Sequence, residues 1–123
     1  MKKYKIAFLF TRPPFGSAMS REGLDALLAA SAFCDEQEIA ICFINDGVFN
    51  LVSNQQPEQI LQKDHISTFK LLDLYDLNEC FVCQESVNLR RLEHANWVLP
   101  HLQFKTQSEI LILLSQAEKV MTF

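Results

Sequence analysis

The sequence predicts an α/β protein built on a parallel β-sheet. Two short runs, Lys5–Thr11 and Glu38–Ile44, are apolar along almost their whole length, which is typical of strands that helices cover on both faces. Between them, Ser20–Glu36 has apolar residues at helical spacing. Because two parallel strands need a crossover connection, a strand, a helix and a second strand in this order indicate a βαβ unit.

Length and composition limit the class of protein. With 123 residues the chain fits one domain, which we place at residues 1–123. Hydrophobic residues make up 49% and charged residues 21%, so we expect a folded core and no intrinsic disorder. The net charge of −4 argues against direct nucleic-acid binding, which usually requires a basic face.

The apolar runs also bear on location. None approaches the ~20 consecutive apolar residues of a membrane-spanning helix. Arg12, Pro13 and Pro14 end the first run before it reaches the length of a signal-peptide core. We therefore expect a cytoplasmic protein without a membrane partner, whose four cysteines are reduced thiols.

The other elements follow in order along the chain. Asn45–Gly47 supplies the turn residues that end the second strand. Ser53–Asp64 is polar and should hold one short helix that begins near Pro57. Thr106 and Glu109 have the spacing of a capping box, in which each side chain binds the other residue's backbone N–H. The remaining predicted elements are a helix at Ile66–Leu77, a strand at Glu79–Gln84, a polar helix at Glu85–Glu93, a short strand within Trp97–Lys105, a helix that begins at Thr106, and a fifth strand at Lys119–Phe123.

Two of the predicted helices carry more apolar surface than one side of a sheet can cover. In Ile66–Leu77, leucine and aromatic side chains surround most of the helix axis. Ile110–Leu114 is an unbroken apolar run, which circles the axis completely. The excess must be covered by another subunit or by a loop of the same chain, for which only Ser53–Asp64 is long enough. We expect another subunit.

Motifs for nucleotide and metal binding are missing. The chain has three glycines, too few and too far apart for a dinucleotide or phosphate-binding loop. His65, His94 and His101 lack the spacing of metal ligands, which favours surface or structural roles. Asp46 could act as a base, but turn formation before Gly47 explains it equally well. We predict no cofactor and no metal.

Cys80 and Cys83 have the C-x-x-C spacing of redox pairs and of zinc sites. Their context differs, because these residues belong to a predicted strand, where side chains three positions apart point to opposite faces. The two sulfurs should therefore not meet. A second C-x-x-C that would complete a zinc site is also missing.

Cys83 alone is the candidate reactive residue. It lies at the predicted carboxyl end of the third strand, where open α/β sheets bind their ligands, and the start of the next helix favours a thiolate there. Glu85 opposes this effect, because a nearby carboxylate disfavours a second negative charge. An ordinary buried thiol remains the alternative. Cys34 and Cys42 are expected to pack in the core.

Four segments give the chain a resemblance to a known family: Thr11–Ser17 (TRPPFGS), Arg21–Ala29 (REGLDALLA), Asp46–Phe49 (DGVF) and Thr68–Asp76 (TFKLLDLYD). In these segments it resembles the DsrE/DsrF-like family, and within it the DsrF-type subunits of sulfur-relay complexes. The resemblance extends over essentially the whole chain. It implies a three-layer α/β/α fold with a five-stranded parallel sheet.

The resemblance also implies a function and partners. The chain would be a non-catalytic subunit of a heterohexamer, a dimer of heterotrimers that also contains TusB-like and TusD-like subunits. TusA and TusE would be transient carriers of the persulfide sulfur. The sulfur would pass toward 2-thiolation of the tRNA wobble uridine, in 5-methylaminomethyl-2-thiouridine synthesis. In this family the D subunit carries the persulfide, so a persulfide on Cys83 of this chain is the alternative.

Overall fold

The structure, a computed structural model, describes residues 3–15, 18–53 and 69–123. The strands within these residues are β1 (Ile6–Phe10), β2 (Ile39–Phe43), β3 (Cys80–Cys83), β4 (Leu102–Lys105) and β5 (Lys119–Thr122). The α-helices are α1 (Met19–Ala30), α2 (Leu71–Leu74), α3 (Gln84–Leu89) and α4 (Gln107–Gln116). Two 3-10 helices, Glu36–Glu38 and Asn45–Leu51, precede and follow β2.

The five strands form one sheet in the order β4-β3-β2-β1-β5, and every neighbouring pair is parallel. This confirms the predicted five-stranded parallel sheet. β2 lies at the centre, and all five of its residues are buried. Its apolar run therefore has the composition expected for a strand covered on both faces.

Helices cover both faces, which confirms the three-layer arrangement. The connections from β1 through β4 all progress in one direction across the sheet, and right-handed crossovers then place their helices on one face. The connection from β4 to β5 returns across the sheet, so α4 lies on the opposite face. The core clusters agree: one holds Leu27 of α1, Leu72 of α2 and Val87 of α3, and the other holds Ile110 of α4.

An aromatic cluster fills the first of these faces. The ring of Phe10 stacks on Phe43 with centroids 5.1 Å apart, and on Phe123 at 5.8 Å. It also meets Phe69 edge to face at 5.5 Å. Such aromatic pairs add to the stabilisation from buried area alone. The cluster joins β1, β2, the start of the α2 region and the residue after β5.

The first predicted helix is shorter than expected. Predicted to reach Glu36, α1 ends at Ala30. Asp35 has an extended backbone and begins the next 3-10 helix, in which it forms a capping box with Glu38. Glu38 Oε1 accepts from the Asp35 N–H at 3.0 Å, which stabilises this extended start of a new turn in place of a continuing helix.

Two further helices end early because the chain turns left-handed. α2 stops at Leu74, not Leu77, since Asp76 adopts a φ of 57° and the N–H of Leu77 binds the carbonyl of Leu72 at 2.8 Å. α3 stops at Leu89, not Glu93, with Arg91 at a φ of 55° and a bond from Leu92 N–H to the Val87 carbonyl at 3.0 Å. Both are Schellman motifs, and in each the paired apolar residues lie in the core cluster or against it. The predicted helix near Pro57 and residues 66–68 of the predicted Ile66–Leu77 helix lie outside the described residues.

The rest of the chain follows the prediction more closely. Within Trp97–Lys105 only Leu102–Lys105 is a strand, and Trp97 instead forms an isolated antiparallel bridge with Val52. The capping box at α4 is confirmed, with Thr106 Oγ1 accepting from Glu109 N–H at 3.1 Å and Glu109 Oε1 accepting from Thr106 N–H at 2.9 Å. Across the described ranges, we find no helix with the length and apolar character needed to cross a membrane.

Candidate functional site

Cys83 lies where the sequence predicted, at the carboxyl end of β3. It is also the N-cap residue of α3, and its Sγ accepts a hydrogen bond from the Ser86 backbone N–H at 3.4 Å. The residue has no solvent-exposed surface. The thiol therefore stabilises the start of α3 from inside the fold, and a reagent could reach it only after local movement.

The carboxylate of Glu85 is the second partner of this thiol. Cys83 Sγ donates to Glu85 Oε1 at 3.7 Å, and the same oxygen accepts from the Gln107 backbone N–H at 2.9 Å. Glu85 thus connects the β3–α3 junction to the first turn of α4. Its position beside the sulfur supplies an acceptor for the S–H group.

Polar contacts join the same edge of the sheet to the end of β2. Ser86 Oγ accepts from the Asn45 backbone N–H at 2.8 Å. Arg90 Nε donates to Asp46 Oδ1 at 2.9 Å, in an ion pair whose Asp46 side chain is 53% exposed. A pair this exposed contributes about 0–1 kcal/mol. Asp46 thus lies in the first turn of the Asn45–Leu51 3-10 helix and pairs with Arg90.

The sequence analysis missed Asn50, which is fully buried within the Asn45–Leu51 helix. Its Nδ2 donates to the carbonyls of Arg12 and Gly47, both at 2.9 Å. Its Oδ1 is shielded from solvent without a hydrogen-bond partner in the described part of the chain. Asn50 fastens the loop after β1 to the Asn45–Leu51 helix. The one signal available in the sequence was a further asparagine shortly after the Asn45–Gly47 turn.

The other three cysteines pack in or against the hydrophobic core. Cys80 packs in the core cluster beneath α1, and Cys83 in the cluster beneath α4, so the C-x-x-C sulfurs point to opposite faces as predicted. Burial raises the pKa of both Cys42 and Cys80 to about 12. Cys34 is half-buried against the first cluster. Within residues 3–15, 18–53 and 69–123, no three His, Cys, Asp or Glu side chains are grouped so as to hold a metal.

The excess apolar surface predicted for two helices is partly exposed. Leu74 of α2 is 76% exposed, and Tyr75 directly after it is 49% exposed. In α4, Leu111 and Ile112 are 51% and 48% exposed, whereas Ile110 is buried. Leu72 and Leu77, by contrast, are buried in the core. Most of the loop proposed as an alternative cover, residues 54–64, lies outside the described residues.

Thiol labelling measures this arrangement directly. Of the four cysteines in the folded chain, we expect Cys34 to react with iodoacetamide, because it is partly exposed. Cys83 is buried, and burial raises the pKa of Cys42 and Cys80 from 9.0 to about 12. Such a shift lowers the thiolate fraction near neutral pH by about 1000-fold. Peptide mass spectrometry after brief labelling should find one modified cysteine in buffer and four in denaturant. Cys34→Ser is the control, and labelling of Cys83 as fast as Cys34 would contradict the prediction.

Comparison with known proteins gives a consistent result. The model of the DsrE/DsrF-like family matches residues 4–123. A protein of Pasteurella multocida named Protein TusC homolog is 50% identical over 119 residues, which are 97% of this chain and 99% of that protein. A protein of Haemophilus influenzae with the same name is 52% identical over 119 residues, again 97% of this chain and 99% of that protein. The crystal structure of the ychN protein from E. coli has a similar fold, with a TM-score of 0.81 at 18% identity over 98% of this chain and 99% of that one. The chain belongs to the DsrE/DsrF-like family.

Proposed function

We propose that the chain is the TusC-type, non-catalytic subunit of a sulfur-relay complex. The complex would pass persulfide sulfur toward 2-thiolation of the tRNA wobble uridine, in 5-methylaminomethyl-2-thiouridine synthesis. Support comes from relatives named Protein TusC homolog that are half identical over nearly the whole chain. The observation that carries the non-catalytic role is the contrast between exposed apolar helices and a fully buried candidate thiol.

The proposed partners are TusB-like and TusD-like subunits in a heterohexamer, with TusA and TusE as transient carriers. The isolated chain exposes large, mainly apolar side chains to water at Leu74, Tyr75, Leu111 and Ile112. Burying them against a partner would contribute roughly 25 cal/mol per Å² of apolar area. We propose a cytoplasmic, single-domain protein that contacts neither nucleic acid nor membrane directly, which agrees with its net charge of −4.

Assembly with the partners is the first test. We expect purification with the TusB-like and TusD-like subunits to give a complex by native mass spectrometry. At least one of Leu74→Glu and Leu111→Glu should weaken it tenfold or more, because an introduced charge loses its hydration at an interface. Ser115→Glu, on an exposed position of α4, is the matched control. A stable, soluble monomer that ignores both partners would defeat the proposal.

The alternative function places a persulfide on Cys83. Its support is the strand-end position and the Ser86 N–H that points at the sulfur. In this reaction the Cys83 thiolate would attack the terminal sulfur of a donor persulfide. An S–S bond would form at Cys83, and the donor would leave as a thiolate. The burial of Cys83 and its contact with Glu85 favour the structural role.

Intact-mass analysis separates the two functions. After incubation of the complex with a persulfide donor, we expect no added sulfur that Cys83→Ser removes, because the strand-end thiol is buried, whereas an adduct on the more exposed Cys34 would persist in that variant. The matched variant is Cys83→Ser, which keeps a small polar N-cap for α3. If Cys83→Ser supports normal tRNA thiolation, the enzyme role is excluded. A sulfur adduct that this substitution removes, together with loss of thiolation, would establish it.

A further inference from the structure

The second face of the sheet is only partly covered. Among the described elements, α4 is the helix on this face, and it lies against the central strands through Ile110. Beside α4, over β3 and β4, there is an open cleft of about 360 Å³. Phe81 lies beneath it, and Ile112 and Leu113 of α4 form one wall. The cleft is therefore apolar along its middle and large enough for one or two side chains.

One end of the cleft is negatively charged. Tyr4, 5% exposed, lines it together with Glu79. Burial and the charge of Glu79, to which its hydroxyl donates a hydrogen bond, raise the pKa of Tyr4 to about 12. Tyr4 thus stays neutral in the physiological range. It holds the carboxylate of Glu79 at the mouth of an apolar cleft, where a negative charge is screened less than in water.

The negative charge continues beyond the cleft. A second cavity of about 520 Å³ shares Glu79 and Gln103 with the first and runs along the amino ends of β3 and β4. Its lining contains no lysine or arginine among the described residues. We call the two cavities together the α4 groove. The charged residues that line it are the acidic Glu36, Asp76, Glu79 and Glu109, and the basic Lys105.

Lys105 and an unpaired oxygen of Gln116 further define which groups the cleft can bind. The ammonium of Lys105 lies over the Phe81 ring, 5.8 Å from its centroid, at the opposite end from the second cavity. Gln116 also lines the cleft, and its Oε1 is shielded from solvent with no donor in the part of the chain that the structure describes. A buried oxygen without a donor is unfavourable, because it has lost its hydrogen bonds to water. A donor that enters the cleft would satisfy it after rotation of the Gln116 side chain.

We propose that the α4 groove binds a segment of a partner protein that carries an arginine or lysine between apolar side chains. The cationic head would approach Glu79 and the acidic cavity, while apolar neighbours contact Phe81 and Ile112. A second copy of this chain fits poorly, because its net charge is −4. Nucleic acid is disfavoured for the same reason. The inference rests on the proposed function only in requiring a protein partner.

A pair of peptides of equal shape tests the proposal. The probe is acetyl-Leu-Arg-Leu amide, and its control carries citrulline, which is neutral, in place of arginine. We follow binding to the full chain by NMR, using the side-chain amide signals of Gln103 and Gln116 that line the groove. The arginine peptide should shift both signals and bind about tenfold more tightly than the citrulline peptide. Its binding should weaken between about 50 mM and about 500 mM salt.

Variants localise the site. Glu79→Gln should weaken the arginine peptide at least threefold and leave the citrulline peptide unchanged. Glu22→Gln, an exposed carboxylate on α1 of the other face, is the matched control and should change neither. Should Glu79→Gln fail to fold, Ile112→Ser at an exposed position should weaken both peptides. Equal binding of the two peptides, or no shift of either amide signal, would overturn the proposal.

The outcome is separable from that of the assembly test. A chain that binds the arginine peptide but ignores the TusB-like and TusD-like subunits would contradict the proposed function alone. Normal assembly without peptide binding would contradict the groove alone.

Discussion

Gly47→Ala is expected to destabilise the chain by about 4 kcal/mol, a value at the upper end for single substitutions. A Cβ at this position would lie 1.9 Å from the carbonyl oxygen of Phe10 and 2.5 Å from its carbonyl carbon. These are backbone atoms of a central strand, so they cannot rotate away as a side chain can. Chemical denaturation monitored by circular dichroism should show a large fall in the transition midpoint at an unchanged slope.

Gly23→Ala is the comparison for this prediction. Its Cβ would meet ring atoms of Phe10 at 2.5 Å and of Phe123 at 2.7 Å. Side-chain rings can shift, and the substitution also improves helix propensity within α1. We expect a loss of about 1–2 kcal/mol. If Gly47→Ala were as stable as Gly23→Ala, the close approach of the Asn45–Leu51 helix to β1 would be wrong.

Phe10→Ala should cost a similar amount, about 4 kcal/mol, because it removes a buried ring and leaves a cavity. Phe10 has no exposed surface and contacts the rings of Phe43, Phe69 and Phe123. Calorimetry should record a strongly lowered Tm. Phe33→Ala removes a side chain that is 88% exposed and should change the stability by less than about 0.5 kcal/mol.

A Phe10→Ala variant with nearly normal Tm would contradict the aromatic cluster. The same holds if Phe10→Ala and Phe33→Ala lost equal stability, because the comparison isolates burial from the chemistry of the side chain. Phe10→Leu should recover part of the loss by refilling the cavity.

The strands were predictable because burial on both faces leaves a strong compositional signal. Lys5–Thr11 and Glu38–Ile44 contain β1 and β2 within one residue of each end, and Glu79–Gln84 contains β3 in the same way. The start of α4 was equally accessible, since a capping box is a local motif read from four consecutive residues. Both signals involve residues close together in the sequence, so they can be recognised without knowledge of the tertiary structure.

Helix ends were less predictable. Asp76 and Arg91 adopt left-handed backbone angles at which glycine is the usual residue. Without glycine, the sequence around them continues to favour helix, and the periodicity extends past the true end. The terminations are stabilised by packing of Leu77 and Leu92 against the core, which is a tertiary effect.

The candidate site also combines features that the sequence predicts with contacts that it does not predict. The strand-end position of Cys83 and the opposing carboxylate of Glu85 follow from neighbouring residues and were predicted. The contact of Glu85 with Gln107 joins residues 22 positions apart, and the Arg90–Asp46 pair joins residues 44 apart. Such pairings depend on which strands become neighbours, so no local pattern could reveal them.

The order of the sheet has a consequence for folding. β1 pairs with β2 on one side and with β5 on the other, and the second pairing joins Ile6 to Lys119. During synthesis, this edge of β1 therefore remains unpaired until β5 leaves the ribosome. Closing so long a loop is slow compared with local helix formation. The unpaired edge of β1 is thus one place where a nascent chain is exposed to wrong pairing with another molecule.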